Sequence, residues 1–272
     1  MHPNIHPNAI IHRNAQIGKN VMIGPFCVIG DKVILHDGVV LHSNVVIEGP
    51  TSIGKNTQVF QFTVLGTRAQ HLLFKGEPAI LEIGQNNIIR EKVTVHRGTK
   101  IGGMKTTIGN NNFILADCHI AHDCRVGNNN IMANGVALGG HVTLGNNCNI
   151  GAFAAVHQFV RIGDIVMVGA MAKVTEDIIP YTIADGSPCR LRRINSLGLQ
   201  RQHYTKEQIS KVRDIFKLLF KNQGEFSTRV IKANKFISDE DGIAKHMLQF
   251  INSSKNRPIC KKAQSNEQKM DE

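Results

Sequence analysis

The sequence predicts a mainly β protein: a parallel β-helix of hexapeptide repeats followed by a C-terminal α-helical domain. Three observations predict it. Stepping by six from Ile5 meets an aliphatic residue at every position through Leu65, again at Ile83, Ile89, Val95 and Ile101, and then from Ile108 through Val174, 27 positions in all. Ile, Leu, Val and Met together supply only 76 of the 272 residues, so chance does not explain the pattern. Four residues after each aliphatic the side chain is nearly always small or β-branched, as at Ala9, Val33, Thr57, Val142 and Ala154, while Gly and Asn crowd the turns, where both tolerate a positive φ. Trp is absent and aromatics make up 5% of the chain, so the core must be built from small and branched aliphatics rather than large rings.

Three hexads close one 18-residue triangular coil, and 27 hexads make nine coils, stacked at about 4.8 Å into a rod of roughly 40 Å. The β-helix is assigned to residues 1–189. Its six-residue phase is lost over 66–82 and 102–107, which predicts two loops leaving the prism, and loops on a rigid scaffold are where ligands are usually handled. A helical domain is expected over 190–254. Thr205 with Gln208 three residues later reads as a capping box, and Ile209, Val212, Phe216 and Leu219 follow on one helical stripe. Ser238 with Asp241 marks a further helix start, and 255–272 is expected to be a polar, flexible tail.

The composition, 42% hydrophobic and 19% charged, is globular, and no run of eighteen apolar residues is long enough to cross a bilayer. The first residues, MHPNIHPNAI, lack the basic and apolar regions of a secretory signal, so a cytoplasmic location is expected. Neither a nucleic acid nor stable membrane insertion is expected. The net charge of +11 is unevenly shared: residues 190–272 carry 18 Lys+Arg against 9 Asp+Glu, or +9, and the first 189 carry 14 against 12, or +2. The helical region therefore favours an acidic partner; the plainer reading is a solvated helix face. The six cysteines contain no CxxC, and Cys27, Cys118, Cys124 and Cys148 fall at small inward positions, which reads as core filling rather than a disulfide or zinc framework.

Thirteen histidines are many for this length. His2, His6, His12, His36 and His42, in the first coils, read as surface turn residues. His96, His119, His122, His141 and His157 cluster in the middle coils, where the 18-residue step fixes neighbours: His122 with Gly140, Asp123 with His141, and Gly139 with His157. An imidazole base beside an unhindered backbone N–H meets the needs of acyl transfer, namely proton removal from a nucleophile and a donor for the oxyanion. Two other readings stand beside it. Each His can simply hydrogen-bond a neighbouring coil, or His119, His122 and His141 can bind zinc between subunits, as in trimeric β-helical carbonic anhydrases.

The stretch HIAHDCRVGNNNIMANGVALGGHV over 119–142, preceded by VTVHRGT and followed by AVHQFVRIG, closely resembles the UDP-N-acetylglucosamine O-acyltransferases that begin lipid A synthesis. IGPFCVIG, GEP after the first loop, and the C-terminal helices extend the resemblance over most of the chain. It implies a left-handed β-helix and a cytoplasmic homotrimer with active sites between subunits, using acyl carrier protein as donor and a UDP-amino sugar as acceptor, without metal or cofactor. It also implies His122 as the base for the sugar 3-hydroxyl, Asp123 as its orienting partner and Gly140 N–H as the oxyanion donor. His96, His119, His141, His157 and Gln158 would line the substrate sites, and Asn195 and Arg201 would meet nucleotide or donor phosphates. Ala170 or Met171 would floor the acyl groove. The first loop departs from the family, which usually has Gln-Asp-Leu-Lys where this chain has Gln70, His71, Leu72 and Leu73, and Gln202 stands where Arg is frequent. An altered acceptor preference, for the 3-amino analogue of the sugar, and a catalytically weak trimeric binding module are the alternatives these departures raise.

Overall fold

A computed structural model of the chain describes residues 4–221, 224–238, 241–254 and 256–263. Short strands, most of two residues, wind into three sheets that form the faces of a triangular prism. The first face has nine strands from Ile10–Ile11 to Lys173–Val174, the second eight from Gln16–Ile17 to Arg161–Ile162, and the third ten beginning at Met22–Ile23. Apart from the last strand of the third face, pairing is parallel, and where no loop intervenes it keeps the expected 18-residue step, as in His119 with Ala137 and Ala137 with Ala155. Within each two-residue strand the second residue points inward. Of the 27 repeat positions, 23 are buried; Ile5, Ile11 and Ile17 are partly buried against the same core.

The outward rows differ between faces. The first runs Ile10, Val28, Val46 and Val64 and then Thr94, His119, Ala137, Ala155 and Lys173; the third Met22, Val40, Gln58, Ile88, Phe113, Ile131, Asn149 and Met167; and the second Gln16, Ile34, Ser52, Glu82, Thr107, Arg125, Thr143 and Arg161. The third face and the early coils of the first thus carry most of the outward apolar side chains, whereas the second is polar apart from Ile34.

Beyond the prism lie four helices, α1 (Ser196–Arg201), α2 (Lys206–Lys221), α3 (Phe226–Phe236) and α4 (Gly242–Asn252). The Thr205 and Gln208 side chains exchange hydrogen bonds with each other's backbone N–H at the start of α2, as a capping box requires. Near α4, Asp241 accepts from Ser238 N–H, but the helix itself begins one residue later, with Asp241 as N-cap.

Several boundaries are corrected. Residues 80–82 and 105–107 are not loop: Ile80–Ile83 pairs with Lys105–Ile108 on the second face. The excursions therefore cover about 68–79 and 97–104, and Ile101, at 69% exposed, leaves the core pattern. The inward place one coil beyond Ile83 is taken by Ile108, and Thr106, also buried, accepts from the Asp123 N–H through its hydroxyl. Residues 190–194 are strand rather than helix; Arg190–Ile194 turns back antiparallel to Thr182–Asp185 and ends the third face. The tail is not wholly flexible: Ile259 pairs with Asp177, Lys262 pairs with Leu191, and Cys260 is buried. The apolar Pro258-Ile259-Cys260 run gives this segment something to bury. Lys255 and residues 264–272 of the expected tail, like His2, lie outside the described residues.

Candidate active site

The histidines converge at the corner between the first and second faces. His119–Ile120 is a first-face strand, Arg125–Val126 a second-face strand, and the four residues between them carry His122 and Asp123. Asp123 adopts a positive φ of 62°, as does His141 one coil on, which places both at the tip of the turn.

The Asp123 carboxylate is fully enclosed and held by three donors. His122 Nδ1 donates to Oδ2 at 2.8 Å, Thr99 N–H to Oδ1 at 2.7 Å and Thr99 Oγ1 to Oδ2 at 2.7 Å. Burial pushes this carboxyl up, but the bonds from His122 and Thr99 outweigh it and hold Asp123 below the ordinary carboxylate value. An ionised carboxylate only accepts, so His122 carries its proton on Nδ1 and leaves Nε2 with the lone pair of a base. That side of the ring faces Gly140, where an added Cβ would lie 2.7 Å from His122 Cε1 and 2.9 Å from Nε2. Glycine is required there because the imidazole occupies the space. The Gly140 N–H has no acceptor among the described residues.

Around this pair, His141 stacks on Phe159 with ring centroids 4.4 Å apart, and its Nε2 lies 3.6 Å from Asp123 Oδ2. Burial lowers the His141 pKa, against an opposing pull from Asp123. Burial also lowers that of His119, whose Nδ1 meets Thr94 Oγ1 at 2.8 Å. His96 is buried and donates through Nδ1 to the Arg68 carbonyl at 2.6 Å, which anchors the root of the first loop. From that loop His71 sets its ring edge against His122 at 5.2 Å, while Gln70 and Leu73 are exposed. The potential ligand atoms of His122, Asp123 and His141 lie within 4.8 Å of one another; His119 is not part of that triple.

The other predicted site residues lie elsewhere on the prism. Asn195 and Arg201 line a groove of about 540 Å³ beside the third face, together with Asn147, Asn149, Met167 and Gln202. The Asn195 side chain caps α1 by accepting from Gly198 N–H at 3.0 Å and donates to the Ile165 carbonyl at 2.9 Å. Ala170 and Met171 are exposed at the corner between the third and first faces. His157 and Gln158 sit on the next coil beyond Gly140, where they meet Arg257. A single chain therefore brings His157 and Gln158 to the His122 corner but leaves Asn195, Arg201, Ala170 and Met171 away from it. Sequence reasoning missed Thr99, Thr106, Phe159 and Arg257. VTVHRGT placed Thr99 in view, but no local spacing links it to Asp123, 24 residues away.

Comparisons with known proteins agree with this architecture. Residues 177–260 match a family model described as UDP-N-acetylglucosamine O-acyltransferase, domain 2, and residues 2–31 and 105–140 match the bacterial transferase hexapeptide model. The acyl-[acyl-carrier-protein]–UDP-N-acetylglucosamine O-acyltransferase of Akkermansia muciniphila is 52% identical over 95% of this chain and 99% of its own length. Solved structures from Moraxella catarrhalis and Acinetobacter baumannii, both titled LpxA, superpose with a TM-score of 0.91 at 35% and 37% identity. They cover 95% and 94% of this chain, and 100% and 99% of their own.

Proposed function

The chain belongs to the acyl-[acyl-carrier-protein]–UDP-N-acetylglucosamine O-acyltransferase family, a left-handed β-helix with a C-terminal helical part, and from that premise we propose how its residues perform the transfer. It moves an acyl group from acyl carrier protein to an oxygen of UDP-N-acetylglucosamine, the first step of lipid A biosynthesis. His122 Nε2 takes the proton of the sugar 3-hydroxyl as its oxygen attacks the thioester carbonyl. Asp123 stabilises the imidazolium that forms, and the Gly140 N–H receives the negative charge on the tetrahedral oxygen. Collapse of that intermediate breaks the C–S bond, and the proton held by His122 leaves with the thiol. The observation that carries this reading is the His122 ring lying between an enclosed carboxylate and an unoccupied backbone donor.

The working enzyme is a homotrimer in this reading, acting in the cytoplasm. Apolar outward rows on the third face and the early coils of the first suit a closed ring in which the first face of one copy meets the third face of the next. Such a ring brings the Asn195 and Arg201 groove of one copy toward the His122 corner of another, with Ala170 and Met171 along the acyl path. The reaction needs no bound metal; stoichiometric zinc in the purified active enzyme would overturn that, since the His122, Asp123 and His141 atoms are close enough to hold one.

Mass spectrometry of the products from a panel of acyl carrier protein thioesters tests the reading and reports chain length. Ester formation on UDP-N-acetylglucosamine is expected, and binding without turnover would select a catalytically weak module instead. Because His71 and Leu73 replace the family's acid and lysine, the 3-amino analogue belongs in the same assay. Equal or better activity on the hydroxyl sugar refutes an amine preference.

A further inference from the structure

We propose that Arg257, on the C-terminal segment, is a positioning residue that fixes His157 as a donor toward the acyl-carrier side of the active site. The inference rests on the acyl-transfer reading for the identity of the substrate, but not for the contact itself. Arg257 Nη2 lies 2.6 Å from His157 Nδ1, and Arg257 Nε donates to the Gln158 carbonyl at 3.2 Å. A guanidinium has five N–H donors and no acceptor, so at this contact His157 Nδ1 must accept. The longer 3.3 Å approach of the same Nδ1 to the Gln158 carbonyl does not reverse this, because a proton on Nδ1 would face the guanidinium N–H at 2.6 Å, donor against donor. The proton of the neutral ring is therefore on Nε2, which has no partner among the described residues. His157 itself is exposed and can donate from Nε2 to a bound oxygen.

The arginine is held in place from both sides. Ser254 Oγ donates to the Arg257 carbonyl at 2.8 Å, Asp177 N–H donates to the following Pro258 carbonyl at 2.8 Å, and Pro258 itself restricts the local backbone. No carboxylate lies within ion-pair distance of Arg257 among the described residues, so its charge adds to the local field. His157 belongs to the second coil beyond His122, about 10 Å along the rod toward the helices. The described residues between Arg190 and Ala263 there carry 16 Lys+Arg against 4 Asp+Glu. An acidic carrier protein delivering the thioester is the substrate whose approach this arrangement fits.

Two measurements test the proposal on the full-length enzyme. In ¹⁵N-histidine-labelled protein, the His157 signal, assigned by its loss in His157→Ala, is expected to report the Nε2–H tautomer. A proton on Nδ1 in the unaltered enzyme would overturn the proposal whether or not the enzyme is active. In steady-state kinetics, Arg257→Gln is expected to raise the KM for acyl carrier protein thioester roughly tenfold, with kcat and the KM for the UDP-sugar changed less than about threefold. Adding Arg257→Gln to His157→Ala should then cost under about twofold more, since the arginine acts through the histidine. Additive losses, or an unchanged KM in Arg257→Gln with its melting temperature preserved, would overturn it. If the unaltered enzyme fails to transfer acyl groups, the functional reading fails and the tautomer measurement still decides this one.

Discussion

The first coils and the middle coils use the same residue in the same repeat to opposite ends. His6 and His12, both exposed, accept backbone N–H groups two residues on, at 3.2 Å, and the half-buried His42 stacks on Phe60. His122 is buried, and its partner Asp123 is reached by Thr99 from a loop that interrupts the hexads. The repeat builds an indifferent scaffold; chemistry appears where it is broken, because only an inserted loop can bring donors down onto a turn.

The largest expected contrast is catalytic. His122→Ala should lower kcat roughly a hundredfold to ten-thousandfold, the usual cost of losing a general base, while His12→Ala leaves turnover within about twofold; a single-turnover assay on both variants reads the difference. Gly140→Ala comes next. Its Cβ would lie 2.7 Å from the His122 ring, and displacing base and oxyanion donor together should cost on the order of a hundredfold in kcat. Packing gives a third contrast: Ile120→Ala, fully buried, should lose about 2–5 kcal/mol, and Ile11→Ala, only partly buried, clearly less, as urea unfolding at one protein concentration would show. Thr99→Val keeps the backbone donor to Asp123 but removes a charge-assisted bond, so kcat should fall roughly tenfold. The smallest effect is in pH. Burial lowers the pKa of His119 and His141 in the fold, so their neutral forms contribute fully above the unfolded value of about 6.5, and stability is lost as pH falls below it. Replacing both with Asn should flatten the melting temperature between pH 7 and 5.

The prism was legible because its signal is repeated: each coil restates the same inward aliphatic, and the 18-residue step places Gly140 against His122 without further information. Where the chain leaves the repeat, legibility ends. Ile101 satisfied the spacing by coincidence, since nothing in the spacing distinguishes an inward strand residue from one on the excursion around Gly102 and Gly103. Arg190–Ile194 was hidden by its single antiparallel pairing, which has no counterpart elsewhere in the rod. Arg257 was hidden by its separation of 100 residues from His157. Contacts of that range are made by the closed fold and leave no local pattern.

The antiparallel strand Arg190–Ile194 and the stretch from Ile259 to Ala263 also have a mechanical consequence. Stacked coils end in unsatisfied peptide groups onto which another molecule could add, and here the chain folds back over that end, with Leu191 N–H donating to Lys261 and Ala263 N–H to Leu191. The rod is thereby sealed against elongation at its helical end, so a chain cut after Asn252 should gain a tendency to self-associate end to end into fibres.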